Sequence, residues 1–138
     1  DLLLNKIINL LPEGPEYYPK DQLSDLNERF FVSDIIRKNI LALYKQEVPY
    51  SCEVIIESFV ESEKNNLPFA HINATIYVSR STQKSIIIGH KGEKIKQLGI
   101  QSRQEIEEFL DHPIFLELFV RVKENWRDDE KLLKGFGY

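Results

Sequence analysis

The sequence predicts an α+β fold in which a three-stranded sheet carries helices on one face. Three observations point there. Two segments, Phe69 to Arg80 and Ile114 to Lys123, alternate apolar and polar side chains with the period of a strand. A longer segment, Glu93 to Leu110, sets Ile95, Leu98, Ser102, Ile106 and Phe109 on one helical stripe. Between the first strand and that helix stands "IIIGHKGEKIKQLG", in which Gly89 and Gly92 interrupt an apolar run.

At the N-terminus, Leu3, Ile7, Leu10 and Leu11 follow helical spacing but have no evident partner stripe just downstream. Next comes "PEGPEYYPKDQLSD", a linker or irregular loop with Pro12, Gly14, Pro15 and Pro19 as breakers. Residues 1–32 therefore read as the last helix and linker of a preceding domain, and residues 33–138 as a second unit. Ser33 is the expected cap of a helix running to about Glu47, with Ile36, Ile40, Leu43 and Tyr44 on its apolar face. Pro49 is its expected stop. "SCEVIIESFVE" reads as a strand with Val54, Ile56 and Val60 on one face, and "SEKNNLP" as the loop after it.

In the second strand Ala70, Ile72, Ala74, Ile76 and Val78 share one face, and His71, Asn73, Thr75, Tyr77 and Ser79 the other. A short helical turn, Gln83 to Ile88, leads into the glycine loop and the long helix, which His112-Pro113 ends. The third strand alternates Ile114, Leu116, Leu118, Val120 and Val122 with Phe115, Glu117, Phe119, Arg121 and Lys123. "NWRDDEKLLKGFGY" closes the chain with a short helix: Asp128 and Asp129 favour its start, Lys131 and Lys134 its later part and Gly135 its end.

Composition narrows the function. With 138 residues, 42% apolar and 29% charged, the chain has enough material for one globular domain and a piece of another. No apolar run approaches the roughly 18 residues of a membrane-spanning helix. The opening residues show neither a basic lead nor a cleavage site of a signal peptide. Cys52 is the single cysteine, so no internal disulfide forms, which fits a reducing cytosol. The net charge of −4 argues against a polyanion binder in bulk, but its distribution is uneven. From Arg80 to Arg103 the segment is +5 and the remainder −9. A charge run alone is usually a solvated helix face; this one is centred on the glycine loop.

That loop has two readings. As a turn, it joins two helices. As a binding cleft, it uses glycines without a β-carbon so that another polymer's backbone can approach the main chain. The N–H groups opening the next helix would then face phosphates. Lys91 adds charge, and His90 donates a hydrogen bond or stacks. Ile86, Ile87 and Ile88 offer an apolar platform for bases, and Lys84, Lys94 and Lys96 reinforce the field. A lone Gly-x-x-Gly is a weak signal. Its place between helical segments, after an alternating strand and inside the basic island, strengthens it.

Helix, strand, strand, helix, Gly-x-x-Gly, helix, strand resembles the type II KH domain, whose GXXG loop clamps single-stranded nucleic acid. "NERFFVSDIIRKNILALYKQEVPYSCEV", "IIIGHKGEKIKQLG" and "FLELFVRVKENWRDDEKLLKGFGY" resemble the C-terminal part of the Era family of bacterial GTPases. "LLPEGPEYYPKDQLSD" resembles the end of that family's GTPase domain and its linker. The resemblance covers essentially the whole chain, and "WRDDEKLLKGFGY" is its most specific part.

The resemblance implies binding to the 3′ end of small-subunit ribosomal RNA, with Gly89, His90, Lys91 and Gly92 as the loop, and a part in small-subunit maturation. It also implies a cytoplasmic location, with peripheral association at the inner membrane on resemblance alone; it implies no particular oligomeric state. GTP and Mg²⁺ belong, on the same footing, to a domain outside this chain. The chain lacks G-x-x-x-x-G-K-[ST], so no cofactor and no enzymatic activity are expected of it. The alternative is a protein-interaction domain that docks a ribosomal or assembly partner, with the glycine loop a mere turn.

Other chemistry is poorly supported. Cys52, at a strand start without a basic neighbour, reads as a small packed residue rather than a nucleophile. His71, His90 and His112 lack metal-ligand spacing. Trp126 reads as packing, with base stacking the sharper option.

Overall fold

The computed structural model describes residues 1–15 and 27–135. Its first helix, α1 (Leu2–Leu10), buries none of its residues; Leu3, Ile7, Leu10 and Leu11 are all exposed. The breaker-rich stretch after it falls largely, with Pro19, on residues outside those described. So does the end of the C-terminal helix's sequence, "FGY".

Helix α2 (Glu28–Leu43) starts earlier than Ser33. Asn27 is the cap: its side-chain oxygen accepts from the Phe30 N–H at 3.0 Å. Ser33 lies a turn and a half inside, buried, with its hydroxyl donating to the Phe30 carbonyl at 2.7 Å. Both residues are competent caps, and only the position of the apolar face chooses between them. Val32, Ile36, Ile40 and Tyr44 are buried, so the helix needs the turn that contains Val32. Ser33 thus lies within the helix and not at its start. The helix ends at Leu43, before Pro49, which instead opens a 3-10 turn (Pro49–Ser51).

Strands β1 (Cys52–Lys64) and β2 (Leu67–Val78) form a long antiparallel hairpin. The "SEKNNLP" segment is mostly strand: only Asn65 and Asn66 turn, both at positive φ, as a two-residue hairpin of the primed type requires. A bulge between Ile56 and Ser58 shifts the register. Period 2 from Val54 is broken there, so Phe59 rather than Val60 packs against the core, and Val60 is 57% exposed. In β2 the expected inward set, Ala70, Ile72, Ala74, Ile76 and Val78, is fully buried. Thr75, on the opposite face, is buried as well.

Helix α3 (Ser81–Ile88), a 3-10 turn (His90–Gly92) and helix α4 (Glu93–Leu110) follow. Asp111 takes a left-handed conformation and ends α4 before Pro113. Strand β3 (Ile114–Val122) then runs parallel to β2, giving the sheet order β1-β2-β3. A parallel neighbour requires a crossover, and α3 with α4 supplies it. Helix α2 packs on β1 and α4, and α4 on β3. One core joins α2, the sheet, Ile87, Leu98 and Ile106. Phe109, expected on the core stripe, is 46% exposed and meets Phe31 at 5.4 Å between ring centroids. A 3-10 turn (Trp126–Asp128) and helix α5 (Glu130–Gly135) complete the described chain. Trp126 is buried, a packing residue.

Candidate nucleic-acid interface

The start of α3 is held by Gln83, whose side-chain oxygen accepts from the N–H groups of Ser79 and Arg80, each at 3.0 Å. This sets the helix start at Ser81, two residues before the expected one. Along α3 the three isoleucines part ways. Ile87 is fully buried in the core and has nothing to present to a ligand, so it leaves the candidate site. Ile88 is half-buried against the core, and Ile86 is half exposed. A helix sends consecutive side chains in different directions, so three isoleucines in a row do not make a platform.

The two glycines of the loop serve different physical ends. Gly89 has φ +73°, and a β-carbon there would stand 2.5 Å from Lys94 Cγ and 2.6 Å from Lys94 Cβ. Its constraint is internal. Gly92 has φ +76°, yet a β-carbon there would meet nothing within 4 Å. Its backbone faces open space, where another chain can come close. Between them His90 and Lys91 are exposed, and Lys91 is itself left-handed at φ 51°. Gly92 caps α4 without any side-chain cap, leaving the helix's first turn turned towards whatever binds there.

The basic residues also divide. Lys91 and Lys96 are exposed, and Lys84 is half-buried on α3. Lys94 is not aimed with them: its ammonium donates to the Leu43 carbonyl at 3.5 Å and stands 5.5 Å from the Tyr44 ring centroid. It is exposed like Lys91 and Lys96, but its ammonium lies at the end of α2.

Next to the loop the structure adds residues that periodicity alone assigned elsewhere. A groove of about 370 Å³ runs between α4 and β3. Ile95, Gly99, Ile100, Leu116 and Leu118 give it an apolar surface, and Lys96 and Arg103 line it with positive charge. Gly99 is the opening: a β-carbon there would stand 3.8 Å from Leu118 Cδ1. A glycine in a helix interior and an isoleucine off the core stripe were the signals in the sequence. Arg103 lies 3.9 Å from Glu107, a loose pair along the helix that leaves it available. Cys52 stands apart, its thiol donating to the Val48 carbonyl at 2.9 Å. His71 lies 2.9 Å from the Glu117 carboxylate, and His112 lies 3.0 Å from the Pro113 carbonyl.

A mixed three-stranded sheet, a crossover broken by a left-handed Gly-x-x-Gly, and a basic apolar groove beside it define a KH-type module. The model of the KH domain matches residues 47–127, and the chain belongs to that family. Over 99% of its length it is similar to the C-terminal part of GTPase Era. The Era of Geotalea daltonii is 50% identical over 136 residues, and that of Geobacter sp. strain M21 is 51% identical over 136 residues. The chain spans 45% of the length of both relatives. Among solved structures, an Aquifex aeolicus Era variant bound to GDP and aluminium fluoride superposes with a TM-score of 0.89 at 36% identity. So does an Era in complex with MgGDPNP and nucleotides 1506–1542 of 16S ribosomal RNA. This chain covers 45% of each of those chains.

Proposed function

We propose that this chain is a single-stranded RNA-binding module whose ligand lies along Gly89–Gly92 and continues into the groove between α4 and β3. The observation that carries the reading is the juxtaposition of an open left-handed Gly92 with exposed His90 and Lys91 beside an apolar groove lined by Lys96 and Arg103. Phosphates approach the loop and the uncapped start of α4, and bases meet the apolar surface. Similarity to an Era bound to 16S ribosomal RNA nucleotides supports small-subunit ribosomal RNA as the target.

In the longer protein, on this reading, the module brings the RNA 3′ end to a GTPase domain that carries GTP and Mg²⁺, and serves small-subunit maturation in the cytoplasm. Contact with the inner membrane rests on resemblance alone. The N-terminal helix and the linker sequence after it then belong with that GTPase domain.

The test is fluorescence anisotropy of the purified chain with a synthetic RNA matching nucleotides 1506–1542 of 16S ribosomal RNA. The double variant His90→Asp/Lys91→Asp places two carboxylates where phosphates lie. Even at bulk-water screening each costs about 1 kcal/mol at about 4 Å, so affinity falls roughly 30-fold. Circular dichroism confirms that the fold persists. A folded double variant that binds as the parent does would reduce the loop to a turn and favour protein interaction. As a control, the chain alone is expected to show no saturable GTP turnover.

A further inference from the structure

We infer that Tyr44 and Lys94 brace the glycine loop from behind, so that Lys94 positions the loop instead of contacting the ligand. This rests on the RNA-binding reading above and assigns parts within it. The Lys94 stem lies directly against Gly89, where an added β-carbon would overlap it. Its ammonium turns to the end of α2, towards the Leu43 carbonyl and the face of Tyr44. A helix C-terminus and an aromatic face both attract a cation.

Tyr44 in turn is buried and donates its hydroxyl proton to the Ile87 carbonyl at 2.7 Å. Ile87 lies two residues before Gly89, and Lys94 two residues after Gly92. The end of α2 is therefore tied to both the entry and the exit of the loop.

The loop needs such support. Lys91 is left-handed, a conformation that costs an ordinary residue about 1–2 kcal/mol. Within the loop, one backbone hydrogen bond joins the glycines, Gly92 N–H to the Gly89 carbonyl at 3.3 Å. A strained conformation persists where its surroundings over-determine it. A loop already in its binding geometry loses less ordering entropy when the ligand arrives.

A phosphate contact and a brace differ in their salt dependence. Removing a phosphate contact lowers the slope of log affinity against log salt by about 0.7 for a single strand, whereas removing a brace leaves the slope alone. The experiment measures binding of the same synthetic RNA across salt concentrations for the parent, Lys94→Met, Tyr44→Phe and Lys91→Ala. It also measures amide hydrogen exchange of Gly89–Gly92 in the RNA-free protein.

Lys94→Met and Tyr44→Phe are expected to weaken binding about fivefold, the equivalent of one hydrogen bond, at every salt concentration. Their slope stays that of the parent and their loop amides exchange faster. Lys91→Ala flattens the slope and leaves exchange unchanged. A flattened slope in Lys94→Met would make Lys94 a phosphate ligand and overturn the brace. Parental affinity and exchange in both brace variants would overturn it too. If the parent binds no RNA, the RNA reading fails, and the exchange measurement alone decides the brace: unchanged exchange rejects it.

Discussion

Tyr44 shows how one side chain serves folding and the candidate site together. Its hydroxyl is buried beside the Ile87 carbonyl, and burial, with a smaller contribution from Cys52, raises its pKa to about 12. The sign follows from linkage. Below pH 10 the phenol is protonated in both folded and unfolded chains. Between about pH 10 and 12 only the unfolded chain releases the proton, so stability falls as pH rises, by about 2–3 kcal/mol in all. Thermal unfolding followed over that range is expected to show a steeper decline for the parent than for Tyr44→Phe, which has no proton to lose. Equal declines would mean that the phenol titrates alike in both states. Elsewhere, Glu53 is buried at 2% exposure with the Arg37 guanidinium as its ionic partner and the Val54 N–H donating to it at 3.1 Å. A buried carboxylate is tolerated only with such partners.

At the scale of the element, α4 carries two demands on adjacent faces. Leu98, Ser102 and Ile106 are buried in the core, and Gly99 and Ile100 face the groove with Lys96 and Arg103. Glycine weakens a helix interior by about 1 kcal/mol relative to alanine. Gly99→Ala is therefore expected to raise the melting temperature, since its β-carbon meets Leu118 at an ordinary contact distance. The same β-carbon narrows the groove, so RNA affinity falls, and Gly99→Val lowers it further. Calorimetry and anisotropy on the same preparations check both halves. A Gly99→Val variant with parental affinity would remove the groove from the binding surface. In β1 the bulge after Ile56 plays a comparable part, reassigning which side chains reach the core from Phe59 onward.

At the scale of the whole molecule, the core runs from Val32 in α2 to Val120 in β3 and takes nothing from α1. Removal of residues 1–26, which keeps the Asn27 cap, is expected to leave the cooperative thermal transition nearly unchanged. Loss of the transition would show that the N-terminal helix belongs to this core. Removal of the first thirty residues is a different experiment, because it takes the cap and the first turn of α2 with it, and a missing cap costs about 1 kcal/mol. The net charge of −4 coexists with a basic segment because Arg80 to Arg103 holds six basic residues against the single acid Glu93, so the acidic excess lies elsewhere in the chain.

Periodicity is a local property, and what depends on it was legible in the sequence. The inward face of β2, the extent of α4, the short helix before the glycines and the last strand all followed from side chains repeating every two or 3.6 residues. The Gly-x-x-Gly between two helices, and with it the KH order of elements, followed from the same pattern and two breakers. Tertiary structure decided what depends on neighbours distant in sequence. Asn27 rather than Ser33 caps α2 because Val32 must reach the sheet. Val60 is exposed because a bulge, invisible in composition, intervenes. Ile87 is lost to the core and the Lys94 ammonium lies at α2 because charge and apolarity say nothing about direction. The groove beside the loop exists only where Gly99 of α4 passes Leu118 of β3, residues nineteen positions apart that the parallel crossover brings together.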